Sequence, residues 1–125
     1  MSLDVYLTGE KTVVRCVCSE CDNVHERTET ENFYSANITH NLGEMAEEAG
    51  IYKHLWRPEE LGITKAKELI EPLKTGLAIM RSNPARFEKL NSTNGWGLYK
   101  NFIPWIRKYL DACIEYPNAN IHVSR

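Results

Sequence analysis

The chain has 125 residues, 42% of them hydrophobic and 26% charged, which is the composition of one globular domain rather than of a disordered chain. Its longest apolar run, Leu77 to Met80, is far too short for a transmembrane helix. The N-terminus lacks the apolar core of a secretory signal, so we expect a cytoplasmic protein without a membrane partner. A net charge of −2 argues against general nucleic-acid binding.

Both ends of the chain alternate apolar and polar residues. Residues 3–8 and 119–124 each show this pattern, which is typical of a half-buried strand. We expect these terminal strands to lie in one antiparallel sheet. Residues 12–34 predict a hairpin, which brings the sheet to three or four strands.

Helical periodicity fills residues 37–116. The first predicted helix follows Asn37 as its N-cap and stops at Gly50. Pro72 is expected to kink or split the next long helix. The sequence therefore predicts a single α+β domain over residues 1–125, with a small sheet packed against four or five helices.

A cluster of soft metal ligands lies in the predicted hairpin. Cys16, Cys18, Cys21 and His25 fall within one short segment, and four such ligands in tetrahedral arrangement suit zinc. Because one segment supplies a full ligand set, we expect a structural zinc site rather than a catalytic one. A reduced metal-free hairpin and a redox pair are the alternatives. Cys113 lies on an apolar helical stripe and is expected to be a buried core thiol.

Polar and aromatic side chains cluster where predicted loops meet helices, which is where binding residues concentrate on a rigid scaffold. The candidate ligand-binding residues are Asn37, His40, Asn41, Trp56, Arg57, Asn94 and Trp96. Aromatic rings, amides and a guanidinium together can hold a planar or phosphorylated ligand by stacking and forked hydrogen bonds. The alternative is that the same residues only cap helices, pack loops or form surface ion pairs.

The charges are distributed unevenly along the chain. Residues 1–62 carry 12 acids and 5 bases, a balance of −7, whereas residues 63–125 carry 5 acids and 10 bases, a balance of +5. Lys67, Lys74 and Arg81 recur every seven residues and form one basic stripe on a predicted helix. This stripe is either the solvated back of that helix or a docking face for an acidic partner or a phosphate.

Four segments carry a resemblance to known sequences: Ser35–Gly43, Leu55–Pro58, Asn94–Gly97 and Val123–Arg125. They resemble a group of small hypothetical proteins found in phage and bacterial genomes. The resemblance implies a small accessory protein that acts on host or phage components. It transfers no catalytic residue and no cofactor.

These patterns together favour a protein that a structural zinc ion stabilises and that binds a partner or ligand without catalysing a reaction. Its partner would be a host or phage protein, or a small anionic ligand such as a nucleotide. The alternative is a hydrolase of a phosphorylated substrate, either metal-dependent or built from His40, His122 and Asp4. Pairing of the terminal strands would bring Asp4 beside His122 and so orient the imidazole for acid–base chemistry.

Overall fold

The alternating and periodic segments assemble into an α+β fold, seen here in a computed structural model. The structure describes residues 2–17, 24–91, 95 and 97–125, with side chains described for 2–9 and, within those ranges, from residue 30 onward. A three-stranded antiparallel sheet lies beside five α-helices in this part of the chain, which confirms the predicted fold class. Within the same ranges, no helix is both long enough and apolar enough to cross a bilayer.

The sheet has the order β2-β1-β3, with β1 in the centre. The strands are β1 (Ser2–Val17), β2 (Val24–Thr39) and β3 (Asn120–Ser124), and both pairings are antiparallel. The predicted pairing of the terminal strands is therefore confirmed. Beyond Thr8, β1 pairs with β2 alone, and the sheet continues as a two-stranded ribbon of about 30 Å at the usual rise per residue.

One continuous strand replaces the two that the sequence predicts at the start of the chain. The strand continues through Gly9 because the ring of Phe33 lies over it: a Cβ built on Gly9 would stand 2.5 Å from Phe33 Cε2. Phe33 stacks on Tyr116 with ring centroids 4.8 Å apart. Phe33 is also the extra residue of a β-bulge in β2, where the register shifts between Leu7 and Thr8 of β1.

Five helices and three 3-10 turns fill the middle of the described chain. The helices are α1 (Gly43–Glu48), α2 (Tyr52–Trp56), α3 (Ile70–Ser82), α4 (Pro84–Glu88) and α5 (Tyr99–Glu115). The 3-10 turns are His40–Leu42, Pro58–Leu61 and Ala66–Leu69. Pro72 lies in the first turn of α3, where a missing N–H costs little, and the long predicted helix is divided just before it.

The first helix begins later than the sequence predicts. Asn37 and Ile38 belong to β2, because Ile38 is buried at 7% exposure in the sheet and strand pairing there outweighs the helical pattern. Thr39 is the N-cap of the 3-10 turn His40–Leu42 that leads into α1, and its Oγ1 accepts a hydrogen bond from the Asn41 backbone N–H at 3.3 Å. The predicted stop at Gly50 is confirmed by its φ of 78°, a conformation that glycine adopts without strain.

The core lies between one face of the sheet and the helices. Strand β1 contributes Leu3, Val5 and Leu7, each with 0% exposure. Helix α5 contributes its apolar stripe, which includes Cys113. Cys113 is fully buried, as predicted, and burial raises the pKa of its thiol to about 12, so it stays protonated and unreactive.

Candidate ligand-binding cleft

A cleft of about 780 Å³ opens where β2 ends and α5 begins. It is lined in the described part of the chain by Ser2, Asn37, Ile38, Thr39, His40, Asn41, Leu42, Gly95, Gly97, Leu98, Asn101 and Trp105. Three asparagines contribute to this lining, so we call it the amide cleft. Three of the seven predicted ligand-binding residues thus come together here: Asn37, His40 and Asn41.

Asn37 is held in a fixed orientation at the edge of the sheet. Its Nδ2 donates to Ser2 Oγ at 2.9 Å and to Asp4 Oδ1 at 2.7 Å, and its backbone oxygen accepts from Trp105 Nε1 at 3.0 Å. Both amide hydrogens are therefore occupied. The side-chain Oδ1 remains as an acceptor of known orientation.

A hydrogen bond from Trp56 fixes the tautomer of the neutral His40 ring. Trp56 Nε1 donates to His40 Nδ1 at 3.3 Å, and an indole nitrogen can only donate. In this arrangement Nδ1 is the acceptor, so the ring proton lies on Nε2. That Nε2 is buried and has no hydrogen-bond partner within the described residues. A buried donor without a partner costs about 1–3 kcal/mol.

The other two predicted residues with described side chains do not line the amide cleft. Trp56 is 1% exposed, with its ring stacked on Tyr52 at 5.3 Å, so it supports His40 from inside the core. Arg57 lies 3.4 Å from Glu60. A hydrogen bond with the Tyr52 side chain, together with the Glu60 charge, raises the pKa of the Arg57 guanidinium.

Asn94 and Trp96 lie outside the described residues. Their neighbours Gly95 and Gly97 both line the amide cleft. Gly97 has a φ of 101°, and a Cβ built on it would stand 2.9 Å from Asn41 Cβ. Only glycine fits this close approach without strain, so Gly97 allows the backbone at this position to lie next to Asn41 in the cleft wall.

The sequence did not predict two cleft residues that α5 contributes. Trp105 fits the amphipathic pattern of α5, but it is only half-buried, and its ring makes an edge contact with that of Tyr109 with centroids 5.7 Å apart. Asn101 is exposed in the first turn of the same helix. The side chain of Asn101 makes no hydrogen bond with the described part of the chain. Its sequence position gives no signal, because a polar residue at a helix start is common.

The structure describes the side chains of none of the four predicted metal ligands. Cys18 and Cys21 are not among the described residues, and the side chains of Cys16 and His25 are not described. The backbone register pairs Cys16 of β1 with His25 of β2, just beyond a register shift at Val14. Among the residues that are described, no group of three His, Cys, Asp or Glu could hold a metal ion.

The residues of the alternative hydrolase do not share one cleft. His122 lines a second cavity of about 590 Å³, whereas His40 lines the amide cleft. Asp4 pairs with Ser124 and binds Asn37, two strand positions from His122. Glu59 also lines the second cavity, and a hydrogen bond from Arg125 at 2.5 Å lowers the pKa of its carboxyl.

Comparisons with protein-family models, curated proteins and solved structures found no match to this chain.

Proposed function

We propose that this protein binds a small ligand in the amide cleft without chemical turnover, and that the bound group is polar, planar and uncharged, such as the base of a nucleotide. The observation that carries the proposal is that the amide cleft gathers three asparagine side chains beside the His40 ring and the half-buried Trp105 ring. Asn37 Oδ1 adds an oriented acceptor, and Asn101 adds both a donor and an acceptor.

The hydrogen-bonding groups of the cleft match the edge of a nucleobase. A base presents donors and acceptors side by side in one plane, and asparagine side chains pair with such edges in bidentate fashion. The half-buried ring of Trp105 supplies an aromatic surface beside them. No Lys or Arg belongs to the described lining, so the base rather than the phosphate would supply the binding free energy.

The chemistry of the described lining favours binding over catalysis. His40 is the one imidazole in that lining, and its Nδ1 is occupied by Trp56. A general base of the usual kind needs an imidazole oriented by a carboxylate or a carboxylate facing the substrate. Asp4, which lies next to the cleft, accepts a hydrogen bond from Asn37.

Nucleosides and their 5′-monophosphates should bind with similar affinity, since the described cleft contacts the base. Replacing Asn101 with alanine should weaken binding of the best nucleoside about tenfold, the equivalent of about 1.4 kcal/mol for its hydrogen bonds. Titration calorimetry or amide chemical shifts measure this directly. Asn118→Ala is the matched control, because Asn118 is exposed and does not line the cleft.

Three results would contradict the cleft proposal. The first is an absence of binding by any of the four nucleosides at millimolar concentration. The second is equal affinity in Asn101→Ala and Asn118→Ala. The third is binding restricted to phosphorylated forms, which would move the site to a cationic surface. Turnover of a bound nucleotide would replace a binding function by an enzymatic one.

We also propose that zinc staples the ribbon through Cys16, Cys18, Cys21 and His25. Residues directly opposite each other on antiparallel strands have Cβ atoms about 4.5–5.5 Å apart, and Cys16 and His25 are such a pair in the register. Bonds of about 2.3 Å to sulfur and 2.1 Å to nitrogen can bridge this spacing. A two-stranded ribbon is marginally stable by itself, so a metal ion near its end would add the missing constraint.

Protein purified without added metal should contain about one zinc ion per chain, as measured by elemental analysis. Cys18→Ser should lose most of this zinc, and the cobalt-substituted protein should lose its sulfur-to-metal charge-transfer absorption. Cys113→Ser is the control, because that thiol is buried in the core and should leave the zinc content unchanged. Less than half an equivalent of zinc, or unchanged zinc in Cys18→Ser, would contradict the proposal.

A further inference from the structure

A shallow groove of about 310 Å³ runs between α3 and α5, and the proposed ligand site does not use it. Its floor is apolar and its rim is basic. Leu77 and Leu110 are nearly buried in the floor, whereas Ile114 is 49% exposed and is one of two large hydrophobic side chains exposed in the described part of the chain. Lys74, Arg81 and Arg107 form the rim, and we call this surface the basic groove.

Two of the rim residues belong to the basic stripe that the sequence singles out. Lys74 and Arg81 both lie on α3, and both are exposed. Lys74 has Glu71 at 3.9 Å, but these side chains are 53% and 84% exposed, and such pairs contribute little. Arg81 forms no ion pair with any described residue. Lys74 and Arg81 therefore lie along the apolar floor of the basic groove as well as facing solvent.

Helix α5 adds a third cation, Arg107, whose charge is partly neutralised by a neighbouring carboxylate. Arg107 Nε lies 3.3 Å from Asp111 Oδ1. The lining therefore carries three positive charges and one negative charge. A partner that covers the groove meets an excess of positive charge around an aliphatic floor, so complementarity requires acidic side chains on either side of apolar ones.

We infer that the basic groove docks an acidic amphipathic helix of another protein. Two neighbouring helices form a groove of the kind that accepts the apolar face of a third helix, whose flanking carboxylates would reach Arg81 and Lys74. A second copy of this chain is a poorer occupant. It offers exposed Leu61 beside Glu59 and Glu60, but these lie on the 3-10 turn Pro58–Leu61, which is too short to present the face of a helix to the groove.

A synthetic amphipathic peptide with leucines on one face and glutamates along both flanks tests this inference. The peptide should shift the amide resonances of α3 and of α5 from Arg107 to Ile114, and it should leave those of Asn37, His40 and Asn41 in the amide cleft unchanged. Arg81→Glu should weaken binding at least tenfold, as measured by fluorescence anisotropy, and Ile114→Ser should do the same by removing the apolar contact. The affinity should fall as salt is raised.

Two controls separate docking from general electrostatics. Lys89→Glu makes the same charge change at an exposed position outside the groove and should leave peptide affinity within twofold. The same peptide with lysine in place of each glutamate should not bind. Equal affinity for both peptides, equal affinity in Arg81→Glu and Lys89→Glu, or no binding at millimolar peptide would overturn the inference. Self-association that Arg81→Glu abolishes would also overturn it, because the occupant would then be a second copy.

Discussion

Replacing Trp56 with alanine should lower the free energy of unfolding by about 3–5 kcal/mol, the usual cost of deleting a fully buried aromatic side chain. Trp56 is 1% exposed, and its ring stacks on Tyr52 at 5.3 Å and meets the edge of His40 at 6.2 Å. Its deletion leaves a cavity and also removes the hydrogen bond to His40 Nδ1. Because domains of this size are stable by only about 5–15 kcal/mol, much of the total would be lost.

Urea denaturation followed by circular dichroism measures this change, and two further variants divide it into its parts. Trp56→Phe keeps most of the packing and loses the hydrogen bond, so it should cost about 1–2 kcal/mol. Ile114→Ala changes an exposed side chain and should cost less than about 0.5 kcal/mol. A loss below about 1 kcal/mol in Trp56→Ala would mean that the ring does not pack as described.

The same variants connect the core to the amide cleft. In Trp56→Phe the indole N–H is absent, so His40 Nδ1 no longer has the donor that keeps the ring proton on Nε2. The Nε2–H tautomer of the cleft-lining His40 is then present only part of the time. Trp56 thus influences the cleft from within the core, although the sequence suggested a direct stacking role for it.

The fold was largely predictable because its strongest signals are local. The alternation at both termini predicted the start of β1, over residues 3–8, and β3, and their pairing followed from placing both in one sheet. The boundary of α1 was not predictable, because Ile38 fits a helix in sequence but is buried in a strand. Where the local sequence pattern fits both a helix and a strand, tertiary contacts determine which of the two forms. These contacts cannot be read from a single sequence.

The candidate cleft was only partly predictable, for a different reason. Asn37, His40 and Asn41 are close together in sequence, at a predicted junction between a loop and a helix. The expectation that binding residues lie at such junctions therefore identified all three. Asn101 and Trp105 reach the same cleft from a helix at least 60 residues further along the chain, and α5 shows there only an ordinary amphipathic pattern. Arg57 carries suitable chemistry near a predicted loop, but ion pairing with Glu60 holds it elsewhere.

Gly76 is expected to be a packing requirement of α3 rather than a neutral helix position. It is buried, and a Cβ built on it would stand 2.6 Å from Ile51 Cγ2. Ile51 is 2% exposed, and its Cγ2 is attached at a branched Cβ, so it cannot move aside easily. Gly76→Ala gains about 1 kcal/mol in helix propensity but loses about 1–3 kcal/mol by overpacking. The net expected change is a destabilisation of up to about 2 kcal/mol.

A matched pair and a double-mutant cycle test the origin of this effect. Gly43→Ala is the matched control, because Gly43 is also helical but its Cβ would make an ordinary contact at 3.5 Å with Tyr52. It should be neutral or stabilising by up to about 1 kcal/mol. In an Ile51→Ala background the clash is gone, so Gly76→Ala should change sign and become stabilising. If Gly76→Ala destabilises equally with and without the Ile51 side chain, close packing of α3 against Ile51 is not the cause.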